Sequence, residues 1–293
     1  MAALDPVDAA MLESRTAAPA VRRAGLGIGF WVAAAWVALV FLLAATADWL
    51  PLADPAAMDL INRLATPSAT HLLGTDAFGR DILTRVIFGA RASLTIGLGA
   101  ALGGVLVGGA LGLTAGYFRG WMERITVASM DVLFAFPPLV LALAIAAYLG
   151  KSLSNLTAIF ALLTVPASMR VARAVTLSFA QREFVAAARA LGATHLRILL
   201  HELLPNIVFP MVVFSLLAVA VIIVAEGALS FIGLGLPAPT PSWGSMIAEG
   251  RDSLDTAPHV AFIPALVLFL TVLAFNFIGD RLRAFIDPDR GTA

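Results

Sequence analysis

The sequence predicts an all-α integral membrane protein with six transmembrane helices. Of its 293 residues, 60% are hydrophobic and only 13% are charged, and the mean hydropathy is +0.93. Soluble domains carry roughly 25% charged residues, so this chain lacks about half of the charge that a water-exposed surface needs. A span needs about 20 mainly apolar residues. The segments that meet this requirement are residues 26–47, 94–117, 125–148, 155–178, 207–232 and 259–279.

The distribution of basic residues predicts that both termini lie in the cytoplasm, because Lys and Arg accumulate on cytoplasmic segments. With the N-terminus inside, the cytoplasmic segments hold Arg15, Arg22, Arg23, Arg119, Arg124, Arg170, Arg173, Arg182, Arg189, Arg197, Arg281, Arg283 and Arg290. The outer segments hold fewer, namely Arg63, Arg80, Arg85, Arg91, Lys151 and Arg251. The chain then divides into a cytoplasmic tail (1–25), a first span with an outer segment (26–93), a core domain (94–285) and a second tail (286–293).

Composition and motifs exclude several classes of function. The formal net charge is zero, which gives no reason to expect a nucleic-acid partner, and the absence of cysteine excludes disulfides and thiolate chemistry. The sequence has no phosphate-binding G-x-x-x-x-G-K-[ST] loop, zinc-protease H-E-x-x-H or G-x-S-x-G elbow. We therefore predict no catalytic residues, no resident metal and no ATP hydrolysis by this chain.

Residues 182–206 form a charged, helix-prone stretch between two apolar runs, and we call this stretch the cytoplasmic segment. Gly192 is the easiest place for a bend between two short helices, and Pro205 is expected to end the second one. The apolar face of the cytoplasmic segment should bury against a protein partner, because a short helix can transmit force only when it sits in a groove of that partner. The alternative is an amphipathic loop on the inner leaflet. That face consists of Leu191, Leu196, Leu199 and Leu200.

The second span carries glycines at every fourth position, which leaves one ridge of the helix without side chains. Such a ridge lets a neighbouring helix approach closely in the membrane. We therefore predict close packing along Gly104, Gly108, Gly112 and Gly116. The preceding residues 80–92 are expected to form a separate amphipathic helix in the interface. Its apolar residues would be Ile82, Leu83, Val86 and Ile87, and its water-exposed arginines Arg80, Arg85 and Arg91.

Polar and proline residues inside the spans mark further candidate sites. Pro137 and Pro138 should kink the third span, because proline removes a helical hydrogen bond. Asp131 is expected to pair with an inner arginine such as Arg170. Glu226, near the outer end of the fifth span, should face a wet cavity or an arginine and line the passage; the alternative is a structural ion pair or hydrogen bond to a neighbouring subunit.

Four blocks of the sequence, taken together, resemble one protein family. They are Gly74-Thr75-Asp76 with Gly79-Arg80-Asp81; Asp131 with Phe136-Pro137-Pro138; the cytoplasmic segment; and Glu226 with Leu229–Gly235 and Pro241–Gly244. The ending Gly279-Asp280 with Asp287-Pro288 also fits. In this order and on six spans, they resemble the inner-membrane permease subunits of binding-protein-dependent ABC importers, in the dipeptide/oligopeptide/nickel branch.

This resemblance implies the type I importer permease fold in the bacterial inner membrane. The chain would enclose a passage for short peptides together with a second, homologous permease. Two cytoplasmic ATPase subunits would use ATP and Mg, this chain would bind no cofactor itself, and an extracytoplasmic binding protein would deliver the cargo. Nickel-chelate or glutathione import by the same machine is an alternative. An ion-gradient-driven secondary transporter, which would show paired inverted repeats, and a non-transporting scaffold are alternatives of other classes.

The resemblance also implies roles for particular residues. The cytoplasmic segment would dock on the ATPases, although Ala186 replaces the acidic residue of the family's Glu-Ala-Ala pattern and Glu202 an apolar one; Glu183, on nearly the same helical face, is a candidate substitute. The candidate docking residues are Glu183, Ala186, Ala187, Gly192, Leu196, Leu199 and Pro205. The candidate passage residues are Glu226, Asp131, Phe136 and Pro137. The candidates for the surface that receives the binding protein are Asp76, Arg80, Asp81 and Trp243, the last alternatively an interfacial anchor of a folded outer cap.

Overall fold

A computed structural model describes residues 26–286, so the tail 1–25 and residues 287–293 lie outside the described residues. The elements of the described part are helices, and we number them in chain order. They are α1 (Gly27–Thr46), α2 (Ile82–Phe118), α3 (Gly120–Phe134), α4 (Pro138–Leu149), α5 (Leu153–Phe179), α6 (Glu183–Ala190), α7 (His195–Phe231), α8 (Trp243–Gly250) and α9 (His259–Ile286). Short 3₁₀ turns follow α1 and α8 and precede α2.

Five of these helices are long and apolar enough to cross a membrane, and α3 with α4 supplies the sixth span in broken form. The two helices meet at an angle of 82°. Pro137 has a non-helical ψ of 125° and Pro138 opens α4, a position where proline's missing N–H costs no helical bond. The prediction of six spans, with a kink at the proline pair, is therefore confirmed.

The glycine ridge of α2 packs along α5, as the four-residue spacing predicts. A Cβ atom on Gly108 would overlap Ser168 and the carbonyl of Val165, and one on Gly112 would overlap the backbone of α5. Ser168 uses the close approach to donate a hydrogen bond of 2.7 Å to the carbonyl oxygen of Gly104. This helix pair forms the centre of the bundle; α7 packs against both of its helices, and α9 packs mainly on α7, α8 and α1.

The predicted interfacial helix at residues 80–92 is wrong. α2 begins at Ile82 and continues for 37 residues, about 55 Å, so these residues are the outer end of a span. Arg80 and Arg85 are only 2% and 1% exposed, so they do not lie in water as predicted. Their burial depends on carboxylates elsewhere in the chain, which an amphipathic pattern alone cannot reveal.

The predicted helix end at Pro205 is also wrong. α7 runs without a break from His195 through Pro205 into the fifth span. Residues Ile198–Leu203 form a π-helical turn, and the α-helical register restarts at Leu204 with Pro205 in its first turn. Proline is tolerated there because it lacks only a donor that the first turn does not use. The cytoplasmic segment is therefore joined rigidly to a span.

Candidate functional site

The cytoplasmic segment folds as two helices joined by a tight turn at Gly192. Gly192 has a φ of +79°, a left-handed conformation that favours glycine. Its N–H donates to the carbonyl of Arg189 at 3.0 Å, and Ala193 donates to that of Ala188 at 3.0 Å, which is the Schellman ending of a helix. Thr194 then caps α7. The bend expected at Gly192 is confirmed, and its cause is local.

One side of this segment packs against its own chain. Val185, Ile198 and Leu203 are buried in a cluster with the inner ends of α2 and α5. Leu199 belongs to the same cluster and is 7% exposed, so it does not lie on the outward face where the sequence analysis placed it. The π-helical turn contributes to this difference, because it rotates the side chains relative to an ideal α-helix.

The other side is apolar and open to solvent. Leu191 is 88% exposed, Leu196 is 65% exposed and Leu200 is 46% exposed. Ala186 and Ala187 are exposed too, as is Glu183 at the first position of α6. Glu183 and Ala186 are three residues apart, so they lie on neighbouring positions of one helical face. A compact row of exposed leucines outside the hydrocarbon core is typical of a protein-binding surface.

A polar contact that the sequence analysis missed connects this segment to α2. The hydroxyl of Tyr117 lies 2.8 Å from Nδ1 of His195. The guanidinium of Arg189 lies 5.2 Å from the centre of the Tyr117 ring, which adds a cation–π contact. Tyr117 ends the glycine-rich span, and an isolated tyrosine at that position was the available signal. Through it, the turn at Gly192 is anchored to the central helix pair.

Two ion pairs join the broken third span to α5. Asp131 contacts Arg170 at 2.6 Å, as expected from the sequence, and both side chains are about half exposed. Glu123 pairs with Arg173 one turn further in. Phe136 and Pro137 lie exposed at the break between α3 and α4. The structure therefore places Asp131 in an intrachain pair and leaves Phe136 and Pro137 on a free surface.

The outer cap, which we define as residues 59–81 together with α8, is held by a cluster of four buried or half-buried charges. Nε of Arg80 contacts Asp76 at 2.6 Å, and Glu249 receives Arg80 at 2.6 Å and Arg85 at 3.0 Å. Two guanidinium groups thus face two carboxylates. Asp76 and Arg80 are 5% and 2% exposed, so the prediction that they form a surface for the binding protein is wrong. Glu249 was missed because nothing near it in the sequence indicates its partners.

Asp81 and Trp243 also have structural contacts. Asp81 caps α2 by accepting the N–H of Thr84 at 2.8 Å, and its other oxygen lies 3.1 Å from His71. Trp243 is fully buried and donates its indole N–H to the carbonyl of Val86 at 3.0 Å, so it is neither an interfacial anchor nor a docking residue. Nearby, hydrogen bonds from the side chain of Asn62 and the backbone of Ile61 lower the pKa of Asp59.

Glu226 is fully buried between α7 and α8. One carboxylate oxygen accepts hydrogen bonds from the hydroxyls of Ser230 at 2.8 Å and Ser242 at 2.9 Å. The two helices come this close because Gly227 and Gly244 face each other; a Cβ on Gly244 would lie 2.5 Å from Cα of Gly227. In this conformation the Glu226 side chain is enclosed, and no arginine of residues 26–286 pairs with it. Its two hydrogen bonds are formed within its own chain.

Within residues 26–286, no three His, Asp or Glu side chains come together as they do at a metal site. Several cavities open on this part of the chain. One of about 250 Å³ lies beside the outer cap and is lined in part by Lys151, Ser245 and Glu249. The cytoplasmic segment is thus the most exposed of the candidate sites, and the outer cap the most enclosed.

Comparison with known proteins agrees with this arrangement. The family described as "Binding-protein-dependent transport system inner membrane component" matches residues 104–291. The chain is 43% identical over 257 residues to the "Glutathione transport system permease protein GsiD" of Escherichia coli O1:K1, covering 87% of this chain and 85% of that protein. It is 44% identical over 222 residues to the protein of the same name from Pectobacterium atrosepticum, covering 76% and 74%.

A solved structure shares the fold. It is described as "Inward facing conformations of the MetNI methionine ABC transporter" and matches with a TM-score of 0.58 at 18% identity. The match covers 70% of this chain and 96% of that one. At this identity the likeness concerns the fold alone, which is that of an ABC importer permease.

Proposed function

Because the chain belongs to the family of binding-protein-dependent transport system inner membrane components, we propose that it is the permease subunit of an importer for glutathione or similarly short peptides. It is an ABC importer permease of the bacterial inner membrane, and ATP is hydrolysed by separate subunits. In the proposal, a second permease completes the passage, two ATPases bind from the cytoplasm, and an extracytoplasmic binding protein delivers the cargo.

The similarity to two glutathione permeases over most of the chain supports glutathione as the cargo. Glutathione is a tripeptide, so it belongs to the class of short peptides that the resemblance already implied. The names of the relatives favour the glutathione alternative, a compound with one thiol, two carboxylates and an amino group. Of the predicted passage residues, Glu226 and Asp131 are engaged within the chain, and Phe136 and Pro137 remain exposed and are the ones proposed to face the cargo.

The exposed row of leucines on the cytoplasmic segment carries the proposed coupling to the ATPases. Burial of a leucine side chain contributes roughly 1.5–3 kcal/mol, so Leu191 and Leu196 together supply a substantial part of a docking interface. The second helix of the segment is the start of α7, which continues into the fifth span, and the turn of the segment is fixed to α2 through Tyr117 and His195. Motion of a docked ATPase would therefore move the fifth span as a rigid helix and shift it relative to the central helix pair, α2 and α5.

A substitution in this row tests the coupling. We expect Leu196→Asp to abolish ATPase co-purification and transport while the protein still inserts into the membrane, because the charge disrupts an apolar contact. Gly192→Pro should have the same result by reshaping the turn. Leu254→Asp, an exposed leucine at the outer end, is the matched control and should retain the ATPases. Normal transport by both cytoplasmic-segment variants would overturn the docking role.

Uptake by the assembled complex in proteoliposomes tests the cargo and the energy source. With the cognate binding protein outside and ATP inside, radiolabelled glutathione should accumulate, and a dipeptide should accumulate less. Accumulation of the dipeptide alone would show that the cargo is a dipeptide and not glutathione. Uptake that persists without ATP and follows an imposed ion gradient would instead support a secondary transporter.

A further inference from the structure

A groove runs between α1 and α9, and its lining includes no residue of the cytoplasmic segment or the outer cap. Its volume is about 380 Å³, and its lining is apolar. Val32 and Leu273 on its rim are 64% and 50% exposed, so the groove opens outward. The lining residues are Gly29, Val32, Ala33, Trp36, Leu270, Leu273, Ala274 and Phe277.

Two specific contacts fix the width of this groove. At one end, the indole N–H of Trp36 donates to the hydroxyl of Thr271 at 3.1 Å and joins α1 to α9. At the other end, the ring of Phe277 rests on Gly29, where a Cβ would lie 2.8 Å from its Cζ atom. The small side chains of Ala33 and Ala274 leave the space between these contacts unfilled. The groove is therefore a feature of how the two helices are joined.

The groove and the basic residue beyond its end together span about one leaflet: the lining on α9 runs from Leu270 to Phe277, about 10 Å, and Arg281 lies one turn further on. Leu270 and Arg281 are eleven residues apart on α9, about 16 Å at 1.5 Å per residue. The hydrocarbon core is roughly 30 Å thick, so this distance is about half of it. A helix of a partner subunit would need a complementary face along the whole span, whereas an acyl chain occupies one leaflet. The dimensions favour a lipid chain.

A cationic side chain lies at the inner end. The guanidinium of Arg281 is 5.1 Å from the centre of the Phe277 ring, one turn beyond the last lining residue and on nearly the same face. Asp280 lies on the adjacent position, and Arg283 points to a different side of the helix by its spacing of 100° per residue. The distribution of basic residues places this end on the cytoplasmic side, where the phosphates of anionic lipids attract arginine.

We propose that this groove binds an anionic phospholipid of the inner leaflet, with one acyl chain between α1 and α9 and the phosphate on Arg281. The lipid would fill the space between the first span and the rest of the bundle. This proposal does not depend on the identity of the cargo or on the docking of the ATPases, since it concerns other residues of the chain.

Lipid retention by the purified complex tests the proposal. The complex is transferred to nanodiscs of equal parts phosphatidylglycerol and phosphatidylethanolamine, re-extracted in mild detergent and analysed by native mass spectrometry. We expect phosphatidylglycerol to be retained preferentially. Arg281→Gln should lower its retention about fivefold, the effect of one cationic side chain near the membrane surface. Arg281→Lys should restore most of it.

Two further variants separate the groove from a general effect of charge. Arg283→Gln removes the same charge two residues away and should leave retention unchanged. Ala33→Leu fills the groove and should abolish retention of both lipids while the complex keeps its elution volume. Equal losses with Arg281→Gln and Arg283→Gln would overturn the proposal. So would a disulfide cross-link between Ala33→Cys and a cysteine in the second permease, because a protein helix would then occupy the groove.

Discussion

The outer cap and the cytoplasmic segment differ in where their chemical groups find partners. In the cap, Arg80 and Arg85 are paired with Asp76 and Glu249, and Trp243 is fully buried. In the cytoplasmic segment, one face is packed on the chain while Leu191 and Leu196 remain in solvent. The cap is complete within one chain, whereas the segment presents a surface that a partner would complete. Substitutions in the outer cap should therefore destabilise the fold, whereas substitutions on the exposed face of the cytoplasmic segment should impair assembly with the ATPases.

The largest expected effect on stability is in the outer cap. Arg85→Met leaves Asp76 and Glu249 facing a single guanidinium, and breaking a buried ion pair costs about 3–5 kcal/mol. We expect a clear decrease in the unfolding temperature of the purified protein, measured by thermal shift. Arg251→Met serves as a control, because its pair with Asp252 is more than half exposed. Equal stability of the two variants would show that the cap is not held by its charges.

Within the cytoplasmic segment, the two faces should respond differently to the same substitution. Leu199→Asp places a carboxylate in the buried cluster and should destabilise the protein by about 3 kcal/mol, the loss of an apolar side chain plus the burial of a charge. Leu196→Asp, on the exposed face, should leave the unfolding temperature unchanged. Thermal unfolding and ATPase co-purification are measured in parallel. A stability loss with Leu196→Asp would mean that this face, too, belongs to the fold.

The helix pair between the two ends offers a matched comparison of adjacent glycines. A methyl group on Gly108 meets the backbone of α5, whereas on Gly109 it would lie 3.7 Å from the flexible Met211. We expect Gly108→Ala to cost about 2 kcal/mol through overpacking and Gly109→Ala to be neutral. Thermal unfolding of the two variants measures the difference. Identical behaviour would contradict the close packing of α2 on α5.

The smallest loss of activity should come from a substitution in the turn. Apart from Gly192 itself and its two chain neighbours, no atom lies within 4 Å of a Cβ placed there, so Gly192→Ala meets only the backbone cost of a left-handed residue, about 1 kcal/mol. Gly192→Asn should cost less, since asparagine tolerates this conformation. The ATP hydrolysis rate of the complex, measured with and without loaded binding protein, should fall with Ala and recover with Asn. A decrease of the same size with both would show that the turn's conformation is not what matters.

Local features of the sequence predicted much of the fold. Spans follow from apolar length, the break from Pro137 and Pro138, the turn from Gly192, and the helix packing from glycines four residues apart. Each of these depends on a backbone preference or on the absence of a side chain, which neighbouring residues alone determine. The pairing of Asp131 with an inner arginine was predicted on a different ground, since a carboxylate inside a span needs a partner and Arg170 lies at the same end of the next span.

The tertiary structure decided the role of the isolated charges and the limits of the long helices. Arg85 reads as a surface arginine until Glu249, 164 residues away, is placed beside it. Glu226 reads as a passage residue until Ser242 is brought against it by the contact of two glycines. The cost of burying a charge depends on partners that are distant in the chain, so its sign cannot be read from local sequence. Thus the sequence by itself determined which segments cross the membrane and where they bend, and only the packing decided which polar groups face outward.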